Sequence, residues 1–165
     1  MQLPHRKPPQ FSEVETDPLM TQDKFDSLTK KLAGLYAGRP AVANEVHRLA
    51  QNGDFSENAE YQAAKGKLRG INFNIEKLEY QLSHAQIIKN GNISDVSIGH
   101  TVTVLVGGLA ERTYTILGSA ETNPTAGIIS HTSPIGAALL GARVGDEVKI
   151  NLPDRVLEMK ILEIK

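Results

Sequence analysis

Two carboxylates three residues apart, Asp54 and Glu57, stand in the segment Gly53-Asp54-Phe55-Ser56-Glu57-Asn58-Ala59-Glu60-Tyr61. By itself this spacing has the form of a capping box, in which acidic side chains accept hydrogen bonds from the N–H groups that a helix leaves unpaired at its start. Acids also favour first turns because they face the positive end of the helix dipole. A capped start holds its carboxylates rigidly, so capping and a chemical role are compatible. Downstream, Lys65, Lys67 and Arg69 make a basic stretch, with Lys65 and Arg69 on one helix face at i, i+4. Long cations commonly line coiled-coil edges, so the stretch alone does not establish a binding site. His47 and His131 have no partners at metal-ligand spacing, and there is no Gly-rich phosphate loop, Ser/His/Asp pattern or zinc motif. With no cysteine in the chain, a disulfide framework, a thiolate zinc site and a cysteine nucleophile are all excluded. The chain is expected neither to bind nucleotides nor to catalyse alone.

The elements that must carry these residues can be read from periodicity. Phe25, Leu28, Leu32 and Leu35 follow 3–4 spacing, and the register resumes at Val42, Val46 and Leu49; Arg39 fills the skipped position beside Gly38 and Pro40. Because proline tolerates a first turn but disrupts a helix interior, the pattern predicts a short helix ending near Tyr36 and another starting at Pro40, or one strongly kinked helix. A second series, Tyr61, Ala64, Leu68, Ile71, Ile75, Leu78, Leu82 and Ala85, alternates steps of three and four without interruption. That is a coiled-coil seam, since seven residues over two turns keep one stripe facing a partner helix. Only a few residues separate the two series, and a short connection joins antiparallel neighbours. The expected unit is a helical hairpin with Gly53–Ser56 at its tip. Pairing between two chains through the second series is the other option, but it would leave the first series without a partner.

Beyond Asn90 the period falls to two. Thr101–Val106, Arg112–Leu117 and Gly127–Ser130 read as strands, with Gly107–Gly108 a turn. Ser133–Leu140 reads as a short helix with Ser133 as N-cap, Pro134 in the first position and Gly141 as C-terminal cap. Val148–Leu152 and Val156–Ile164 complete the strands across a Pro153–Asp154 turn. The fold class is thus α+β: a disordered proline-rich tail over 1–20, a coiled-coil hairpin over 21–90, and a small β-rich domain with one short helix over 91–165. A formal net charge of −1 lacks the basic excess of a free-standing nucleic-acid binder, so such contacts are expected to be local or supplied by a partner. No run approaches the ~20 apolar residues of a membrane helix. His5, Arg6 and Lys7 are followed by no apolar stretch, so no signal peptide is read and a cytoplasmic location is expected.

The segment Gly53–Tyr61 resembles the hairpin tip of the GreA/GreB transcript-cleavage factors, which reads Gly-Asp-x-x-Glu-Asn-Ala-(Asp/Glu)-Tyr. The resemblance extends to Arg39-Pro40, to Leu78…Leu82…Ala85-Gln86-Ile87-Ile88, and to Ser130…Ser133-Pro134-Ile135 with Gly141…Val144-Gly145-Asp146. It covers residues 21–165, with a departure at Pro153-Asp154-Arg155, where the family usually has Pro-x-Gly.

The resemblance implies an FKBP-like C-terminal domain that docks on RNA polymerase near its secondary channel, with Ser133, Pro134 and Ile135 as the contact. It implies a hairpin that enters the channel and stimulates the polymerase's own hydrolysis of backtracked RNA. Asp54 and Glu57 would help hold a second Mg2+ shared with the polymerase; no cofactor is stably bound and no metal is held by the isolated protein. Phe55, Ser56, Asn58 and Tyr61 would support the tip, and Lys65, Lys67 and Arg69 would attract the nascent RNA 3′ end. A monomer with no membrane association is expected. Three other readings stand beside this one. A regulator of the same fold that inhibits the polymerase would carry an altered tip, and this tip is intact. A peptidyl-prolyl isomerase or chaperone needs an aromatic pocket, yet residues 91–165 hold one aromatic, Tyr114. The last is a coiled-coil dimerisation module.

Overall fold

The computed structural model describes residues 17–51, 59–89, 93–152 and 155–165. They form two compact units, residues 26–84 and residues 17–25 together with 85–165.

The first unit is a helical hairpin of α1 (Gln22–Ala50) and α2 (Ala59–Ser83). Every apolar position of both series is partly or fully buried, with Leu49, Ile75 and Leu78 the most enclosed, while most positions between them are exposed. Contacts between the helices run in opposite directions. Near the end of α1, Arg48 feels the charge of Glu60 at the start of α2, and further back Tyr36 donates its hydroxyl to Glu79 near the end of α2. The pairing is therefore antiparallel, as the short connection required.

Of the two forms that Pro40 allowed, separate helices do not occur: α1 runs through it for 29 residues. Proline there removes the bond from its own nitrogen to the Tyr36 carbonyl, a defect that costs about 3 kcal/mol in an exposed helix interior. Seam residues on both sides, Leu35, Val42 and Val46, remain turned inward. Packing of an amphipathic face supplies most helix stability in proteins, and here it outweighs one lost bond.

The second unit begins earlier than the tail reading allowed. Residues 17–20 are placed within it: Leu19–Met20 forms β1, which pairs in parallel with β2 (Gln86–Ile87). Met20 is only 2% exposed. Four prolines within 1–20 suggested an unstructured stretch, but β1 gains its hydrogen bonds from distant chain, with the Gln86 and Ile88 amides donating to the Pro18 and Met20 carbonyls at 2.8 and 2.9 Å.

The main sheet has the order β5-β4-β3-β7-β6, with β3 at Thr101–Val106, β4 at Ala110–Leu117, β5 at Ile128–Ser130, β6 at Glu147–Leu152 and β7 at Arg155–Ile164. Antiparallel ladders join β3 to β4 and to β7, and β6 to β7; β4 and β5 run parallel. Alternation is visible along β3, where Val102 and Val104 are fully buried and Thr101, Thr103 and Leu105 are not. A register shift between Thr103 and Val104 lets Ile161 and Ile164 of β7, three residues apart, both face inward beside Val104 and Val102. Gly107 and Gly108 both have positive φ, the twist a tight antiparallel turn demands. The short helix α3 (Pro134–Leu139) packs its Leu139 into the aliphatic core of Val96, Val102, Val104, Ile116, Ile150, Met159 and Ile161. The expected turn Pro153–Asp154 lies outside the described residues.

Candidate functional site

Asp54, Phe55, Ser56, Glu57 and Asn58 lie outside the described residues, in the connection between Ala50 at the end of α1 and Ala59 at the start of α2. What flanks them is defined. Tyr61 lies in the first turn of α2, half-buried at the start of the seam, and Lys65 places its Nζ 5.6 Å from the ring centroid. That is cation–π range, so Lys65 leans toward the tip end of the helix. On the facing helix Arg48 binds Glu45 through two contacts, 2.7 and 3.0 Å. The Arg48 hydrogen bond holds the Glu45 carboxyl below its usual range, while Glu45 and the charge of Glu60 raise Arg48. Charge on the described flanks of the tip is therefore paired on α1 and more open on α2.

Lys65, Lys67 and Arg69 are all exposed. At about 100° per residue, Lys65 and Arg69 share one flank and Lys67 points elsewhere. The three do not form one cluster. Arg69 instead shares an open concavity of about 430 Å³ with Gly70, Asn72, Phe73 and Glu76. Among the described residues no group of three or more His, Asp or Glu side chains has an arrangement that would hold a metal ion.

The stretch Ser130–Ile135 divides between surface and scaffold. Ser133 is the N-cap of α3, its Oγ accepting the Gly136 amide at 3.0 Å and donating to the Ser130 carbonyl at 2.7 Å. Ile135 is half-buried against the core, and Pro134 is exposed. Gly136 is required because a Cβ there would overlap the Ser130 carbonyl oxygen. Of the three expected docking residues, Pro134 alone is freely presented, and the other two hold the turn that presents it.

A polar cluster in the second unit was not anticipated. Asp17 accepts the Leu19 amide at 3.1 Å and the Ser119 amide at 2.6 Å, and His131 Nδ1 stands 3.4 Å from the same carboxylate. That last distance is long for a hydrogen bond, and His131 Nδ1 is buried without a hydrogen-bond partner. Burial pushes the Asp17 carboxyl up, but the hydrogen bonds from Ser119 and Leu19 and the charge of His131 together hold it below the usual range. Thr21 completes the anchor. Its amide and hydroxyl donate to the Glu121 carboxylate at 2.7 and 2.6 Å, while its Oγ accepts the Lys24 amide and caps α1. The available signal was Asp17-Pro18-Leu19, the form of an Asx-turn.

Two family models match the chain. "Transcription elongation factor, N-terminal" matches residues 18–87, and "Transcription elongation factor, GreA/GreB, C-term" matches residues 91–165. A transcription elongation factor GreA of Macrococcus caseolyticus is 44% identical over 92% of this chain and 99% of its own length. Another GreA, of a Nitratiruptor species, is 35% identical over 88% of this chain and 91% of its own. The crystal structure of GreA factor homolog 1 of Thermus thermophilus is 27% identical, covers 88% of this chain and 97% of that one, and superposes with a TM-score of 0.40. With the two models matching residues 18–87 and 91–165 and GreA relatives aligned over nearly their whole length, the chain belongs to the GreA/GreB family of transcription elongation factors.

Proposed function

We propose that this protein binds RNA polymerase, inserts its hairpin into the secondary channel and stimulates cleavage of backtracked nascent RNA. The observation that carries the reading is the hairpin. Its α2 alone extends about 37 Å at 1.5 Å per residue, its apolar seam is satisfied internally, and its only chain connection between helices holds Asp54 and Glu57. A rod whose apolar face is already covered can enter a narrow polar channel without losing its fold.

The donor set suits the metal that the family implies. Asp54 and Glu57 offer hard carboxylate oxygens, and magnesium takes one or two carboxylates with waters and phosphate oxygens in preference to a full protein cage. In two-metal phosphoryl chemistry one ion would help to activate water and the other would stabilise the leaving oxygen. The part played by this chain is delivery: two acids in the connection between the helices, completing a site whose other ligands belong to the polymerase. The protein is then a stimulator of the polymerase's own hydrolysis, and catalysis stays with the polymerase. Pro134, set on the Ser133 cap, is the docking contact offered by the globular unit.

Cleavage of the RNA in stalled, backtracked polymerase complexes tests this. Asp54→Ala and Glu57→Ala are each expected to abolish stimulated cleavage while still competing with the unaltered protein for polymerase. Wild-type cleavage by both variants would sink the mechanism, and suppression of basal cleavage by the unaltered protein would make it an inhibitory regulator.

A further inference from the structure

The loop that presents Pro134 is held mainly by directional polar contacts. Along it Thr132 and Pro134 are exposed, His131 and Ser133 are partly covered, and Ser130 is buried. The His131 amide donates to the Leu117 carbonyl at 3.0 Å, and the Thr132 amide to Ser130 Oγ at 3.1 Å. Ser130 Oγ also lies 2.7 Å from the Thr132 hydroxyl and 2.8 Å from the Ser119 hydroxyl. Two routes lead from this loop to Asp17. One passes through Ser119, whose amide donates to Asp17 Oδ2 at 2.6 Å. The other is the His131 ring, whose Nδ1 faces the same oxygen at 3.4 Å and has no hydrogen-bond partner. A carboxylate of this kind only accepts, so the attractive tautomer carries its hydrogen on Nδ1. Asp17 is itself fixed from behind. It accepts the Leu19 amide, and the Leu19 carbonyl fills the space over Gly118, 1.9 Å from where a Cβ would stand.

We infer that Asp17 and His131 are positioning residues for polymerase docking, holding the loop of residues 130–134 in the shape that presents Pro134. Their side chains are 11% and 20% exposed, so they act from beneath the loop rather than as contacts. Apolar burial is non-directional, whereas hydrogen bonds and close charge contacts fix angles as well as distances. Leu139 and the aliphatic core therefore secure the fold under the loop, and the polar contacts decide where the loop points. A purely structural role is the rival reading. It would cost folded protein and leave the affinity of each folded molecule unchanged. The inference rests on the docking reading above and deepens it by naming two residues outside the expected contact.

The test joins two measurements on the full chain: binding to RNA polymerase, by competition with fluorescently labelled unaltered protein, and transcript cleavage at saturating protein. His131→Leu is expected to weaken binding roughly two- to thirtyfold, the range for residues that act on a binding site without touching the ligand. Maximal cleavage at saturation is expected to stay unchanged. His131→Asn, whose amide nitrogen stands where Nδ1 stood, is expected to recover the unaltered affinity. In an Asp17→Asn background, His131→Leu is expected to cost less affinity than it does alone. Equal binding by His131→Leu and the unaltered protein overturns the inference, as does strict additivity of the two substitutions. A fall in maximal cleavage that tracks the loss of folded protein also overturns it, because that marks a structural role. Pro134→Ala reports on the docking reading itself. If it loses affinity and His131→Leu does not, the positioning role falls alone. If His131→Leu loses affinity and Pro134→Ala does not, Pro134 is not the contact and the positioning of the loop stands. Absence of polymerase binding by the unaltered protein removes both.

Discussion

Asp17 gathers two backbone amides and a histidine ring on one carboxylate, which is 11% exposed. Because these partners hold its folded-state pKa below the ordinary value, the ionised form stabilises the fold. The sign follows from linkage: the contribution is present above the unfolded pKa and is lost as pH falls through the folded one. Asp17→Asn is therefore expected to lower stability at neutral pH and to flatten the acid limb of a plot of urea midpoint against pH. Parallel curves for the two proteins would mean that the carboxylate charge contributes nothing. At this scale the sequence was partly legible. Ser133 as an N-cap followed from Ser-Pro chemistry and is present, whereas the inward packing of Ile135 depends on which face of a six-residue helix meets the sheet.

Gly66 and Gly70 are set in the middle of α2 with open space on their outer sides. Neither helix geometry nor packing requires a bare backbone there, and glycine costs about 0.5–1 kcal/mol relative to alanine in a helix interior. Gly66→Ala and Gly70→Ala are each expected to raise the stability of the hairpin by that amount, read as a higher melting temperature in far-UV circular dichroism. A lower melting temperature would show that the open side serves packing. The periods of both helices and most strands were legible because they depend on neighbours two to four residues away. Pro40 left two forms open for the same reason: the local rule counts the lost hydrogen bond, and the seam contacts that keep α1 a single helix come from the other helix.

Across the whole molecule, one short segment departs from its place in the chain. Met20 immediately precedes the capping residue of α1 yet is buried in the globular unit, where β1 lies against β2 and close over Gly118, whose missing Cβ leaves room for the Leu19 carbonyl. Deleting a buried methionine side chain leaves a cavity that costs roughly 2–5 kcal/mol. Met20→Ala is expected to lower global stability in that range by chemical denaturation, and an unchanged midpoint would show that β1 is a loose attachment. The amino-acid order alone settled the hairpin seam, the strands of the main sheet and the family resemblance, since each is written in residues close together or in a contiguous motif. Only the folded chain decided where residues 17–21 belong, because Asp17 and Thr21 meet Ser119 and Glu121 across separations of 102 and 100 residues. No local period encodes which distant amide a carboxylate will meet, or that a helix can run through proline when its other face is covered.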